Sequence, residues 1–272
     1  MVVDQGNREN RPQAVVRTPT ESLAGACLLT HVPRMPIDFE RALVQHDGYV
    51  AALEECGVQV RRLPALEAYP DGTFVEDAAL IFKECSILTR SGAEARRGEA
   101  AAIRSALPLD RPVSEVPTPG TLDGGDVLVV GMNVLVGLST RTNGTGVEAL
   151  RSILEPAGYR VRGIEILGGL HLKTVLTSPA PGILLSLSGA IDSDAATDWL
   201  ECRTVMEVES DEPSGANVLP LSAPHGPVVL VSSSAPNTAE RLAATGLEVR
   251  MLDIDEFEKA EAGLTCLSLI WR

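Results

Sequence analysis

The chain has 272 residues, of which 44% are hydrophobic and 22% charged, a globular composition that excludes wholesale disorder. A chain this long can bury a core without disulfides or metals. With 23 Lys and Arg against 37 Asp and Glu the net charge is -14, so nucleic acid is a poor partner and a cationic small molecule is attracted.

Residues 1–13 are polar and are expected to fray, leaving 14–272 as a single domain. This opening stretch has no apolar run, so it does not read as a secretory signal. No run of about 18 apolar residues follows, so no membrane span is expected. The five cysteines (Cys27, Cys56, Cys85, Cys202 and Cys266) occur singly and without a CxxC pair. That argues against a disulfide scaffold or structural zinc and fits a reducing, cytoplasmic location.

Helical periodicity is read near 38–56, 92–106, 143–156, 192–202 and 236–245. Three of these segments run into one repeated pattern: CGVQVRRL at 56–63, AGYRVRGI at 157–164 and TGLEVRML at 245–252. In each, a glycine (Gly57, Gly158, Gly246) stands where positive φ is expected just past a helix, and the alternation after it reads as a strand. The spacings are 101 and 88 residues, and halving them points to two further junctions, at Ala106–Pro108 and Trp199–Cys202. Apolar runs such as GDVLVVG, MNVLVGL, GILLSLS and VVLVSS lie between the units. Each unit is therefore strand–strand–helix–strand. A doubly wound sheet would need strict alternation, so five units closing on themselves fit better.

Residues able to carry chemistry lie at the edges of these units. Glu76 and Asp77 are adjacent in the apolar run FVEDAALIF. Read as a strand, the run points at least one of them inward, with Asp71 on the same face as Asp77. Inward acids need a cation: a ligand, or an internal pair with Arg90, Arg96 or Arg97. Arg96 and Arg141, at turn-to-helix junctions, could clamp a carboxylate or be solvated helix-start charges. Asp123 and Asp126 bracket two glycines in TLDGGDVLVV, which also reads as a hairpin turn. His171 follows a Gly-Gly turn at the start of a strand. His31, His46 and His225 look like surface residues. Cys266, in AGLTCLSLIWR, is either a buried hydrophobe or a nucleophile at a strand mouth. Together these residues suit a substrate with a cationic head and a carboxylate tail, as in arginine-like molecules.

The ordered blocks DGTFVEDAAL (71–80), LTRSGAEARR (88–97), TLDGGDVL (121–128), VGLSTRTN (136–143), GLHLKT (169–174) and GLTCLS (263–268) resemble the dimethylarginine dimethylaminohydrolases. The resemblance runs from about Val15 to Ile270, and six blocks in order are specific. It implies the pentein fold, a five-bladed α/β propeller of ββαβ units around an active-site channel. It also implies cofactor-free hydrolysis of asymmetric dimethylarginine or monomethylarginine to citrulline plus dimethylamine or methylamine. Block by block, Cys266 matches the nucleophile, His171 the general acid and base, and Asp123 the residue orienting it. Asp77 matches the carboxylate on the guanidinium, with Glu76 beside it, and Asp71 a contact to the α-amino group. Arg96 and Arg141 match the α-carboxylate clamp, and Leu28 and Ala260 positions offering backbone carbonyls. Segment 18–27 aligns with a loop that can close over the site. No metal is implied, and a homodimer is the assembly allowed for. Arginine deiminases usually carry His-x-Asp. Here the triplet is His171-Leu172-Lys173, which favours methylated substrates. Amidinotransferases share the chemistry but are usually longer. A non-catalytic methylarginine binder would need no Cys–His–Asp set.

Overall fold

A computed structural model describes residues 11–272. The chain begins with β1 (Gln13–Arg17), α1 (Leu23–Ala26), α2 (Phe39–Glu55) and β2 (Gln59–Leu63). A second unit holds β3 (Ala79–Ile81), β4 (Ser86–Leu88), α3 (Gly98–Ile103) and β5 (Val113–Glu115). A third holds β6 (Val127–Val130), β7 (Asn133–Leu138), α4 (Gly144–Leu154) and β8 (Arg160–Glu165). After α5 (Leu172–Val175) come β9 (Leu176–Ala180), β10 (Ile183–Leu187), α6 (Ser193–Leu200) and β11 (Thr204–Val208). The last strands and helices are β12 (Leu219–Ala223), β13 (Gly226–Ser232), α7 (Pro236–Ala243), β14 (Glu248–Leu252), α8 (Asp255–Glu258) and β15 (Leu269–Trp271).

The strands form five three-stranded sheets. In each, the first two strands are antiparallel and the second and third are parallel, with a helix in the crossover. One sheet is assembled from both ends of the chain: β15 pairs antiparallel with β1, and β1 pairs parallel with β2. This is the ββαβ propeller, the pentein fold, that the repeat and the resemblance both imply. Of the segment expected to fray, 1–10 lies outside the described residues. Gln13 already pairs with Trp271 and Gln59.

Local sequence explains the junctions. Gly57, Gly158 and Gly246 have φ of 82°, 92° and 89°, a region that penalises any residue with a Cβ. At the fourth junction Glu201 takes the same role with φ 56°, which is why the sequence signal there is weak. Asp38, Asn143 and Asp192 each cap a helix by accepting a backbone N–H with the side chain, satisfying a donor the helix cannot. The middle strands β7 and β13 are buried along nearly their whole length, covered by neighbours on both faces, and so read as continuous apolar runs.

Three local expectations are corrected. The 92–106 helix is a turn at Glu94–Arg96, the six-residue α3, and a second turn at Arg104–Ala106. Within FVEDAALIF only Ala79–Ile81 is strand, and Val75–Ala78 is a single 3-10 turn. His46 is not at the surface but 1% exposed, beside Phe257 on the buried face of α2 with Ala42, Tyr49 and Leu53. Burial pushes its pKa down to about 4, so it is neutral.

Candidate active site

Each sheet's first strand is preceded by a single helical turn. These are Val75–Ala78 before β3, Gly124–Asp126 before β6, α5 before β9, Pro213–Ala216 before β12 and Leu264–Leu267 before β15. The five turns pack around the axis of the propeller. They carry Glu76 and Asp77, Asp123 at the cap of the second turn, His171 at the cap of α5, and Cys266. The turn geometry explains why both Glu76 and Asp77 are buried: a strand would have sent adjacent side chains to opposite faces.

His171 Nε2 lies 3.2 Å from Asp123 Oδ2, and Nδ1 lies 3.8 Å from Asp77 Oδ1. Asp123 is fully buried and its Oδ1 accepts no hydrogen bond among the described residues. The approach is tight because residue 125 is glycine. A Cβ there would sit 2.7 Å from both Asp77 Oδ1 and His171 Nδ1. The DGGD glycines thus serve close approach as well as the turn. Burial alone would lower the His171 pKa, but Asp77, Asp126 and Asp123 push it up to about 9. The imidazole is therefore protonated at neutral pH. Cys266 Sγ accepts from Gly263 N at 3.4 Å. Burial, then the nearby carboxylates of Glu76 and Asp77, push its thiol up to about 12.

The acids divide into three pairings. Asp77 Oδ2 accepts from Arg96 Nη1 at 2.7 Å and Oδ1 from Gly125 N at 2.9 Å. Burial opposes its ionisation, but His171 and Arg96 hold its carboxyl well below the usual range. Glu76 is ion-paired with Lys173 Nζ at 2.5 Å and accepts from Thr265 Oγ1 at 2.7 Å. Asp71 accepts from Leu28 N at 3.1 Å and 3.2 Å, and burial raises its pKa. Of the internal cations considered from sequence, Arg96 pairs with Asp77. Arg90 instead donates to Gly120 O, and Arg97 faces Glu94 and Ser91 O.

The two arginines differ. Arg96 directs Nε and Nη2 onto Glu99 and Nη1 onto Asp77, all buried. Its forked edge therefore faces Glu99. Arg141 is buried with Nη1 unbonded among the described residues, 3.9 Å from Asp123 Oδ2, and its Nη2 is 3.5 Å from Thr30 Oγ1.

Leu28, Asp71, Asp77, Arg96, Arg141, His171, Ala260 and Cys266 line one cavity, with Phe74, Leu170, Glu261 and Ala262. Its volume is about 10 Å³, room for roughly one water. Asp123 stands behind His171. Glu76 lies with Lys173 and Thr265 on a separate cavity of about 320 Å³. Sequence reasoning missed Glu99, which pairs with Arg96 from three residues along the same unit, and Thr265, Asn217 and Glu261, which act from segments distant in sequence. Asn217, for example, donates to Lys173 O and accepts from Thr265 N. The i,i+3 spacing of Arg96 and Glu99 is a signal that could have found that pair, whereas no spacing announces Thr265, Asn217 or Glu261. Asp126, to which the resemblance assigns no role, accepts from Leu172 N, Ser139 Oγ and Thr142 Oγ1, and burial pushes its pKa up to about 6.

No protein-family model matches the chain. Curated relatives do match, two dimethylarginine dimethylaminohydrolases among them. An N(G),N(G)-dimethylarginine dimethylaminohydrolase of Streptomyces coelicolor is 40% identical over 258 residues, spanning 94% of this chain and 96% of that protein. The enzyme of the same name from Pseudomonas aeruginosa is 33% identical over 257 residues, spanning 94% and 97%. A crystal structure of the Pseudomonas aeruginosa protein, a Cys-to-Ser variant complexed with citrulline, superposes with a TM-score of 0.87 at 31% identity, covering 96% of this chain and 99% of that one. On this identity and coverage, the chain belongs to the dimethylarginine dimethylaminohydrolase family.

Proposed function

We infer that the chain hydrolyses Nω-methylated arginines to citrulline plus dimethylamine or methylamine, without a cofactor. The observation that carries this reading is one cavity joining a thiol, an acid-paired imidazolium, inward carboxylates and a buried guanidinium with a donor unbonded among the described residues. The groups all come from one chain, so the reaction needs neither nucleic acid nor a second copy.

The reading assigns Asp77 to the substrate guanidinium and Asp71, with the Leu28 and Ala260 carbonyls, to the α-amino group. Arg141 receives the α-carboxylate. Arg96 adds positive charge at that end and holds Asp77 in place. Glu76, with both oxygens taken, acts on the site through its charge. A guanidinium carbon is a poor electrophile because its charge is delocalised, so the nucleophile must be a thiolate. Cys266 is a neutral thiol at rest. A cation seated beside Asp77 offsets the carboxylates that oppose its ionisation, and on binding the thiol gives its proton to solvent water, since His171 already carries one.

The thiolate then attacks the guanidinium carbon. His171 gives its proton to the methylated nitrogen as the C–N bond breaks, and amine leaves. The S-alkylthiouronium that remains is cationic and sits by Asp77. Neutral His171 takes a proton from water as the oxygen attacks. Collapse breaks the C–S bond and the hydroxyl proton of the intermediate passes to the departing sulfur, which leaves citrulline, the neutral Cys266 thiol and protonated His171. Asp123 keeps the imidazole oriented in both steps.

Specificity follows from Lys173. Its ammonium is turned onto Glu76, so it supplies no acid for a second side of a guanidinium. Phe74, Leu170 and Ala262 give the cavity its apolar lining. Unmethylated arginine would leave N–H donors unpaired there, at about 1–3 kcal/mol or roughly ten- to a hundredfold in kcat/KM. The test is citrulline release from arginine, monomethylarginine and both dimethylarginine isomers. A preference for methylated substrates of about tenfold or more is expected. Equal rates, or a preference for arginine, would promote the deiminase alternative. Stoichiometric binding without turnover would make the protein a methylarginine binder.

A further inference from the structure

The segment that follows α1 supplies one wall of the cavity just described, through Leu28, and that segment is held from an unexpected direction. The Glu261 carboxylate accepts three consecutive backbone N–H groups from it: Thr30 at 2.6 Å, His31 at 2.5 Å and Val32 at 2.9 Å. Those three amides lie outside any helix or strand. Glu261 itself is held in the left-handed region, φ 59°, which disfavours a residue with a side chain. It sits next to Ala260, whose carbonyl the reading above gives to the substrate, and both residues line the cavity. At the near end of the same segment Leu28 N is bound to Asp71, and Thr30 Oγ1 touches Arg141.

We propose that Glu261 is a positioning residue for substrate binding: a latch whose carboxylate clamps the 30–32 backbone and so closes the 28–32 loop over the cavity. The loop presents Leu28 to the amino-acid end of the substrate and Thr30 to Arg141. The latch residue is adjacent in sequence to Ala260, so a single turn of chain sets both walls around the α-amino group. A cavity of about 10 Å³ cannot hold an amino acid, so a wall must move for each turnover, and the 28–32 segment is a wall outside any helix or strand. An anion gripping three successive N–H groups is a concentrated, breakable attachment for that motion, since charge-assisted bonds are roughly twice as strong as neutral ones. It is also distinct from segment 18–27, to which the resemblance pointed. The hinge of closure placed here lies C-terminal to α1. The proposal rests on the functional reading for its kinetic arm only.

Two variants separate the carboxylate from the backbone. Glu261→Gly removes the side chain while accepting φ 59° without strain. Glu261→Gln keeps shape but turns an amide N–H toward backbone donors. Amide hydrogen exchange of residues 30–32 is measured in the full chain, followed by alkylation of Cys266 with iodoacetamide and steady-state kinetics with asymmetric dimethylarginine. In the unmodified protein the three amides should be protected. Both variants should lose at least about tenfold of that protection and alkylate Cys266 at least about tenfold faster. KM should rise about fivefold or more while kcat stays within about threefold, the signature of lost binding with the chemistry intact. Unprotected amides in the unmodified protein, unchanged exchange in both variants, or a kcat collapse at constant KM would each overturn the latch. Absence of turnover in the unmodified protein, with the exchange and alkylation effects present, would refute the functional reading and leave the latch standing.

Discussion

Lys173→Met tests the buried ion pair beside the nucleophile. Lys173 Nζ is 2.5 Å from Glu76 Oε1, and the two side chains are only 14% and 10% exposed. Without the ammonium, Glu76 keeps one side-chain donor, Thr265 Oγ1, while Asp77 stands next to it. Truncating one partner of a buried pair costs about 3–5 kcal/mol, because the remaining charge is left uncompensated. The surviving Thr265 bond places the expectation at the lower end, about 3 kcal/mol. For a chain of this size that corresponds to a fall in Tm of roughly 6–12 °C. Burial already raises the Glu76 pKa, with Lys173 opposing; the substitution removes that opposition. A folded-state acid raised above its unfolded value of about 4.3 destabilises most at high pH; the penalty begins to shrink as pH falls below the folded pKa and is gone below the unfolded value. The difference between variant and unmodified protein should therefore narrow on acidification. Urea unfolding followed by circular dichroism from about pH 5 to pH 8 measures it. Adding Glu76→Gln, which still accepts from Thr265, should recover most of the loss. A difference below about 1 kcal/mol, the size of a surface pair, or a double variant no better than the single one, would refute the reasoning.

Cys266→Ser should abolish citrulline release while leaving the unfolding transition in place, because a hydroxyl of similar size is far less ionised; turnover near the unmodified rate would remove Cys266 from its role. His171→Ala should slow turnover by about 10²–10⁴, as expected for a lost general acid, and a loss under tenfold would name another acid. The His171 pKa is raised to about 9 from 6.5, so its proton stabilises the fold fully below about 6.5, and that contribution is lost as pH rises through about 9. The difference is about 3 kcal/mol, and it should vanish from the stability–pH curve of His171→Gln; identical curves would refute it. Arg141→Ala should raise KM by about ten- to a hundredfold with kcat little changed, the loss of charged hydrogen bonds to the amino-acid end. An unchanged KM with collapsed kcat would place Arg141 elsewhere.

Local order is legible in the sequence because its causes are local. Positive-φ glycines after helices, apolar middle strands and helix caps depend on residues a few positions apart, so the five-unit repeat shows in the amino-acid order alone. The burial of His46 is encoded there as well, since Ala42, His46, Tyr49 and Leu53 share one helical face; its polarity masks the periodicity. The chemical residues are legible only as candidates and, through the ordered blocks, by family likeness. Tertiary structure decided what each one touches. It made FVEDAALIF a turn as well as a strand and so buried both acids. It chose Lys173 for Glu76 and Arg96 for Asp77 from among several cations, and gave Thr265 to Glu76 and Glu261 to the 30–32 backbone. It also built one sheet from β15 and β1, the two ends of the chain. The cost of burying a charge demands a partner but does not say which. That choice belongs to whichever blades the closed ring brings side by side, and no local pattern encodes it.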